Sequence, residues 1–126
     1  MNGPGLSFAV FAERYVAVWN EPDAARRRRS IEALWAPDGA NFTSGSEHRG
    51  YDALEARVRV AHHKWVRDGG CVFRQRNAAW HHGAVRVLWD MVSISSGEVI
   101  STGLEFLVLG ADGRIQHDYQ FIEPAA

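Results

Sequence analysis

The apolar residues of this chain change period once, at Gly69-Gly70, and that switch narrows the folds open to it. Before it, hydrophobic residues recur every three or four positions, as on helices. After it they alternate, as on half-buried strands. The alternating runs are Phe73 to Trp80, Val85 to Val92, Glu98 to Leu109 and Arg114 to Ile122. The strings "SSG" at Ser95–Gly97 and "ADG" at Ala111–Gly113 suit three-residue hairpin loops with glycine in the left-handed position. Helices followed by antiparallel strands imply an α+β domain. A long curved sheet wrapped over helices would enclose a tapered cavity, a common place for small-molecule sites.

The front half supplies those helices. Phe8, Phe11, Tyr15 and Val18 or Trp19 share one helical face after a capping Ser7, and Met1 to Gly5 reads as a frayed end. Pro22 breaks that helix. A second helix starts near Asp23, has Ile31, Leu34 and Trp35 on its core side, and ends at Pro37-Asp38-Gly39. Ala40 to Thr43 reads as a short strand and "SGSEHRG" as a loop. A third helix opens at Tyr51, with Tyr51, Leu54, Val58, Ala61, His62 and Trp65 in one stripe.

With 126 residues, the chain suits a single domain, with an ordered core over about residues 6–123. A net charge of -1 gives no global pull toward nucleic acid or an anionic membrane. Arg26 to Arg29 fan around a helix beside Glu21, Asp23 and Glu32, and read as a solvated face. No apolar run reaches the roughly 20 residues that span a bilayer. Glu13 and Arg14 interrupt the only apolar stretch near the N-terminus, so no signal peptide is expected. A lone Cys71 cannot form an internal disulfide and fits a cytoplasmic setting.

Function is read from the inward face of the last strands. Ile115, His117, Tyr119 and Phe121 alternate with Arg114, Gln116, Asp118 and Gln120, and the first set is the more apolar. Placing it inward, with the two loops fixing register, sets Gly103 opposite Trp89 and Glu105 opposite Val87. The same register sets Glu105 opposite Tyr119 and Leu107 opposite His117. Glu105, His117 and Tyr119 then gather beside Trp89, Leu107 and Phe121. A carboxyl group there would lose solvation and hold its proton to higher pH, which suits proton transfer. A histidine or phenol beside it could stabilise negative charge on oxygen. Each also has a plainer reading, as a core side chain with a satisfied polar tip. Asn77, His62, Tyr15 and Trp19 are further candidates to line the cavity, and the "HHG" turn leaves the register of Asn77 open. The pairs His62-His63 and His81-His82 diverge in direction and make no chelate by themselves, so no metal is expected. The chemistry requires no redox cofactor.

Several strings carry a family resemblance: "RYVAVWNEPD" into "RRRRSIEALWAPDGANF", "HRGYDAL" at the third helix, then "HHGAVRVLWDMV", "STGLEFLVL" and "DGRIQHDYQFIE". From about Phe8 to Glu123 the chain resembles the nuclear transport factor 2-like superfamily, and within it the SnoaL-like (polyketide-cyclase-like) group. The resemblance implies a cone-shaped α+β barrel, with N-terminal helices packed in the concave face of a curved, mostly antiparallel sheet. It implies a pocket lined by Trp89, Glu105 and Tyr119, with Glu105 in the string Gly103-Leu104-Glu105 as an acid or base. It also implies a homodimer that pairs through the outer face of the sheet. Members resembling ketosteroid isomerases carry a carboxylate and a proline after the first strand. This chain has Thr43, Ser44 and Gly45 there, with Glu47 nearby, which argues against ketosteroid-type isomerisation. Two readings stay open: an acid/base isomerase, cyclase or hydrolase for a small apolar carbonyl or hydroxyl compound, and a non-catalytic ligand-binding or dimeric association module.

Overall fold

A computed structural model describes residues 4–124. The expected frayed start lies partly outside them: Met1 to Gly3 are not described, and the first helix, α1, runs Pro4–Asn20. Helix α2 spans Ala24–Leu34, capped by Asp23, whose side chain accepts from the backbone N–H of Arg26 at 3.0 Å. Strands β1 (Trp35–Thr43) and β2 (Ser46–Arg49) follow, then helix α3 (Tyr51–Ala61). Helix α3 continues as a wider π-helical stretch, His62–Arg67. Strands β3 (Cys71–His81), β4 (Ala84–Ser93), β5 (Val99–Leu109) and β6 (Ile115–Pro124) complete the chain.

The six strands form one curved, open sheet in the order β2-β1-β6-β5-β4-β3. Among the described residues only the β1–β6 pairing is parallel. The helices pack on the concave face, and Tyr15, Ile31, Trp35, Leu54, Val85, Val87, Leu107 and Ile115 fill the space between them. The hairpin glycines Gly97 and Gly113 take positive φ, 74° and 81°, as their loops demand. No helix among the described residues is long and apolar enough to cross a membrane.

Two boundaries differ from the sequence reading. Helix α2 stops at Leu34, so Trp35 and Pro37 belong to β1. The string "SGSEHRG" contributes β2 and closes a hairpin with β1 rather than forming a loop. Short polar edge strands such as Ser46–Arg49 carry little apolar alternation, which is why the period misses them.

The larger difference lies in β6. The β4–β5 register places Gly103 opposite Trp89 and Glu105 opposite Val87, as expected. Across β5–β6, however, Glu105 faces Gln120 and Leu107 faces Asp118. Leu109 pairs with Ile115 while Val108 pairs with His117, so Gln116 is an extra residue on β6. This bulge reverses the faces beyond it. Ile115 points inward before it, and Asp118, Gln120 and Ile122 point inward after it. His117, Tyr119 and Phe121 stand on the outer face, where Tyr119 stacks on Phe42 with ring centroids 5.0 Å apart. A second bulge, at Arg76 on β3, shifts pairing between Gln75 and Asn77. It leaves Asn77 exposed.

Candidate functional site

The concave face is not completely filled. Between α1, α3 and the wide end of the sheet lies an open pocket of about 340 Å³. Its helical wall is Tyr15, Val16 and Trp19 from α1 with Arg57, Ala61 and Trp65 from α3 and its π-helical extension. The sheet supplies Phe73, Trp89, Met91 and Glu105, with Ile100, Ser101, Gln120 and Ile122 toward the far ends of β5 and β6. The lining is mostly apolar with a few polar groups, the usual make-up of a small-molecule site.

Glu105 sits against this pocket, only 1 % exposed. Its Oε2 accepts from Trp89 Nε1 at 2.8 Å. Gly103 makes that bond possible, because a methyl group built there would fall inside the Trp89 ring. Behind Glu105 lies Asp118, fully buried. The phenol of Tyr15 bridges the two carboxyls, 2.9 Å from Glu105 Oε1 and 2.6 Å from Asp118 Oδ2. Asn41 Nδ2 also donates to Asp118 Oδ2, at 3.0 Å. The amide of Asn41 is oriented by Arg57, whose Nε donates to Asn41 Oδ1 at 3.3 Å. An arginine can only donate, so the Asn41 oxygen must face it and the Asn41 nitrogen must face Asp118.

The geometry fixes where the protons sit. A phenol has one hydrogen to give. It goes to the shorter contact, Asp118, as expected for a charged acceptor. The contact with Glu105 then needs a hydrogen from Glu105 itself. Two adjacent carboxylates out of water cannot both ionise cheaply. Burial pushes the Glu105 carboxyl well above the ordinary carboxylate range, and the charge of nearby Asp118 pushes it further. Asp118 is also raised by burial, but the nearness of protonated Glu105, the hydrogen bonds from Tyr15 and Asn41 and the charge of Arg57 oppose the shift. Glu105 is therefore the member that keeps the shared proton. Tyr15 is raised too, by burial and then by both carboxyls, and stays a neutral donor. The result is a buried relay from Glu105 through Tyr15 to Asp118, with its acid end on the pocket.

Of the residues singled out from sequence, Glu105, Trp89, Tyr15 and Trp19 meet at this pocket. His117, Tyr119 and Phe121 do not, because the β6 bulge turns them outward. Asn77 is exposed on the far side of the β3 bulge. Leu107 is buried in the main core, away from the pocket lining. His62 is buried in the third helix and donates from Nδ1 to the backbone carbonyl of Trp19 at 3.0 Å. Asp118, Asn41, Arg57 and Gln120 are functional candidates that sequence reasoning missed. Their signal was available, since Asp118 and Gln120 share a period-two face, but that face looked too polar to be the inside. Among the described residues, no group of three His, Cys, Asp or Glu side chains is placed to hold a metal ion.

Comparison with solved structures matches this architecture. A provisionally named isomerase of the SnoaL-like family from Agrobacterium tumefaciens C58 superposes with a TM-score of 0.82. It is 25% identical, and the match covers 91% of this chain and 96% of that one. The chain has a SnoaL-like fold. A provisionally named polyketide cyclase from Sinorhizobium meliloti shares this SnoaL-like architecture at TM-score 0.63 and 15% identity, over 88% of this chain and 93% of that one. A protein of unknown function with a cystatin-like fold from Methylobium petroleophilum PM1 aligns at TM-score 0.69 and 19% identity, over 94% and 77% of the two chains. No family model matches the sequence, and no curated protein matches it.

Proposed function

We propose that this SnoaL-like protein binds a small, mostly apolar carbonyl or hydroxyl compound and acts on it as an acid/base isomerase or cyclase. The observation that carries the reading is the Glu105–Tyr15–Asp118 relay ending at an apolar pocket. Glu105 gives its proton to a ligand oxygen and becomes a carboxylate, which can then accept the hydrogen bond of the still neutral Tyr15 phenol. Donation leaves two buried carboxylates charged at once, a costly state. The proton is therefore drawn back to the pair. That favours reactions in which the proton returns within one turnover, as in isomerisation or ring closure. The SnoaL-like isomerase named above supports the same class by its description. His117 and Tyr119 have no part in this scheme, and Tyr15 supplies the phenol.

A second reading is favoured by one observation: both Glu105 oxygens already have partners. On that reading the relay is structural and the pocket only binds. Glu105→Gln separates the two. It keeps a hydrogen-bond donor and acceptor but cannot give up a proton. Turnover of ketones, epoxides or aromatic polyketide-like compounds should fall at least 100-fold in Glu105→Gln, within the usual range for loss of a general acid. Equal turnover in the two proteins would eliminate the acid role. The wider proposal includes a homodimer formed through the outer sheet face and, with Cys71 buried and free, a cytoplasmic location.

A further inference from the structure

Among the described residues, Arg57 is the only cationic side chain in the pocket lining. Its guanidinium is held in place from three sides. Nε donates to Asn41 Oδ1 and Nη2 donates to Gln120 Oε1, at 3.3 and 3.1 Å. The Trp19 ring lies under it, 5.4 Å from centroid to Cζ. All of these partners are uncharged. Arg28, Arg49, Arg67, Arg76 and Arg114 each pair directly with a carboxylate, whereas among the described residues Arg57, like buried Arg27, has only uncharged hydrogen-bond partners. It reaches Asp118 only through Asn41. A guanidinium carries five N–H bonds. Three of those on Arg57, both at Nη1 included, have no acceptor among the described residues.

We infer that the pocket selects ligands bearing a carboxylate, which Arg57 receives on its free N–H bonds. The inference rests on the proposed small-molecule reading and names the class of compound: an apolar carboxylic acid with a second oxygen that can reach Glu105. A planar fork fixed by two amides and an aromatic ring is pre-organised for a planar, bidentate acceptor. A monoanion fits better than a phosphate. One guanidinium cannot balance a dianion beside the negative charge already held by the Glu105–Asp118 pair. Gln120 acts as a positioning residue, because its oxygen holds Nη2 while the remaining N–H bonds stay open.

The test compares one apolar skeleton with different head groups. Naphthalene-2-carboxylate, naphthalene-2-carboxamide and 2-naphthyl phosphate are titrated at pH 7 by calorimetry into the wild type and into Arg57→Met. In the wild type the carboxylate should bind at least ten-fold more tightly than the amide and more tightly than the phosphate. In Arg57→Met the difference between carboxylate and amide should shrink to within two-fold. Equal binding of acid and amide in the wild type overturns the inference but leaves the pocket reading standing. Failure of every probe to bind overturns both. Tighter phosphate binding, or a carboxylate preference that survives Arg57→Met, also overturns it. The wild-type comparison needs no variant, so it decides the matter even if Arg57→Met does not fold.

Discussion

At the scale of single residues, the buried carboxyl pair makes a definite demand on pH. Glu105 and Asp118 both hold protons more tightly in the folded protein than in the unfolded chain, chiefly because they are out of water. The unfolded chain releases these protons from about pH 4 upward, while the folded protein keeps at least one to higher pH. Over that interval the folded state binds more protons, so stability falls as pH rises. This contribution is full below the unfolded values and is lost as pH passes the raised folded ones. Glu105→Gln removes the ionisation while keeping a donor toward Tyr15 and an acceptor for Trp89. Urea unfolding between pH 5 and 9 should therefore show wild-type stability declining with pH and a flatter profile for Glu105→Gln. At neutral pH the variant should be within about 1 kcal/mol of the wild type or more stable. A variant profile as steep as the wild type's would mean that Glu105 is not the proton holder. Much of this was legible in the sequence. Gly103 and Glu105 two residues apart on a strand opposite Trp89 already put a carboxyl against an indole. The partner of that carboxyl was not legible, because nothing in a linear pattern relates Tyr15 on the first helix to Asp118 on the last strand.

At the scale of elements, the helices and strands follow from period, caps and turn glycines, and one inserted residue decides the chemistry. Alternation along β6 puts Ile115, His117, Tyr119 and Phe121 on one apolar face. That pattern is real, but it belongs to two faces joined at Gln116. Two physical causes hid this. A bulge leaves no compositional mark when its extra residue is polar, as Gln116 is. The pocket side of this strand is also polar and the outer side aromatic, the reverse of the usual rule. The register of Asn77, which the "HHG" turn leaves open in the sequence, is set by the Arg76 bulge on β3, with Asn77 exposed. Deleting Gln116 should therefore be tolerated, because it joins Ile115, opposite Leu109, directly to His117, opposite Val108, and leaves Asp118 and Gln120 facing inward. In urea unfolding the deletion variant should unfold cooperatively, within about 3 kcal/mol of the wild type, and Gln116→Ala within about 1 kcal/mol. A deletion variant with no cooperative unfolding transition would show that the ladder depends on the extra residue.

At the scale of the whole molecule, the same reversal leaves an aromatic surface to account for. Phe106 is 41 % exposed and Phe121 61 % exposed on the outer sheet face. Phe106 lies directly opposite Tyr119 across β5–β6, and Leu104 lies opposite Phe121. Phe42 extends the patch onto β1 by stacking on Tyr119. Isolated exposed apolar residues are ordinary, but a contiguous aromatic strip on the outer face of a sheet is the kind of surface that a partner covers. A two-fold arrangement suits it best, since each copy would present the same strip to the other. The expected form in solution at about 10 µM is thus a homodimer of twice the 14.1 kDa chain mass. Glutamates at two central positions, Phe106→Glu with Phe121→Glu, would set like charges against each other across the two-fold axis. Both side chains are largely outside the core, so the fold and the pocket should persist while the dimer separates. Sedimentation velocity reads the mass and circular dichroism reads the fold. A monomeric wild type, or a dimer indifferent to both glutamates, would leave the outward turn of β6 serving the relay alone.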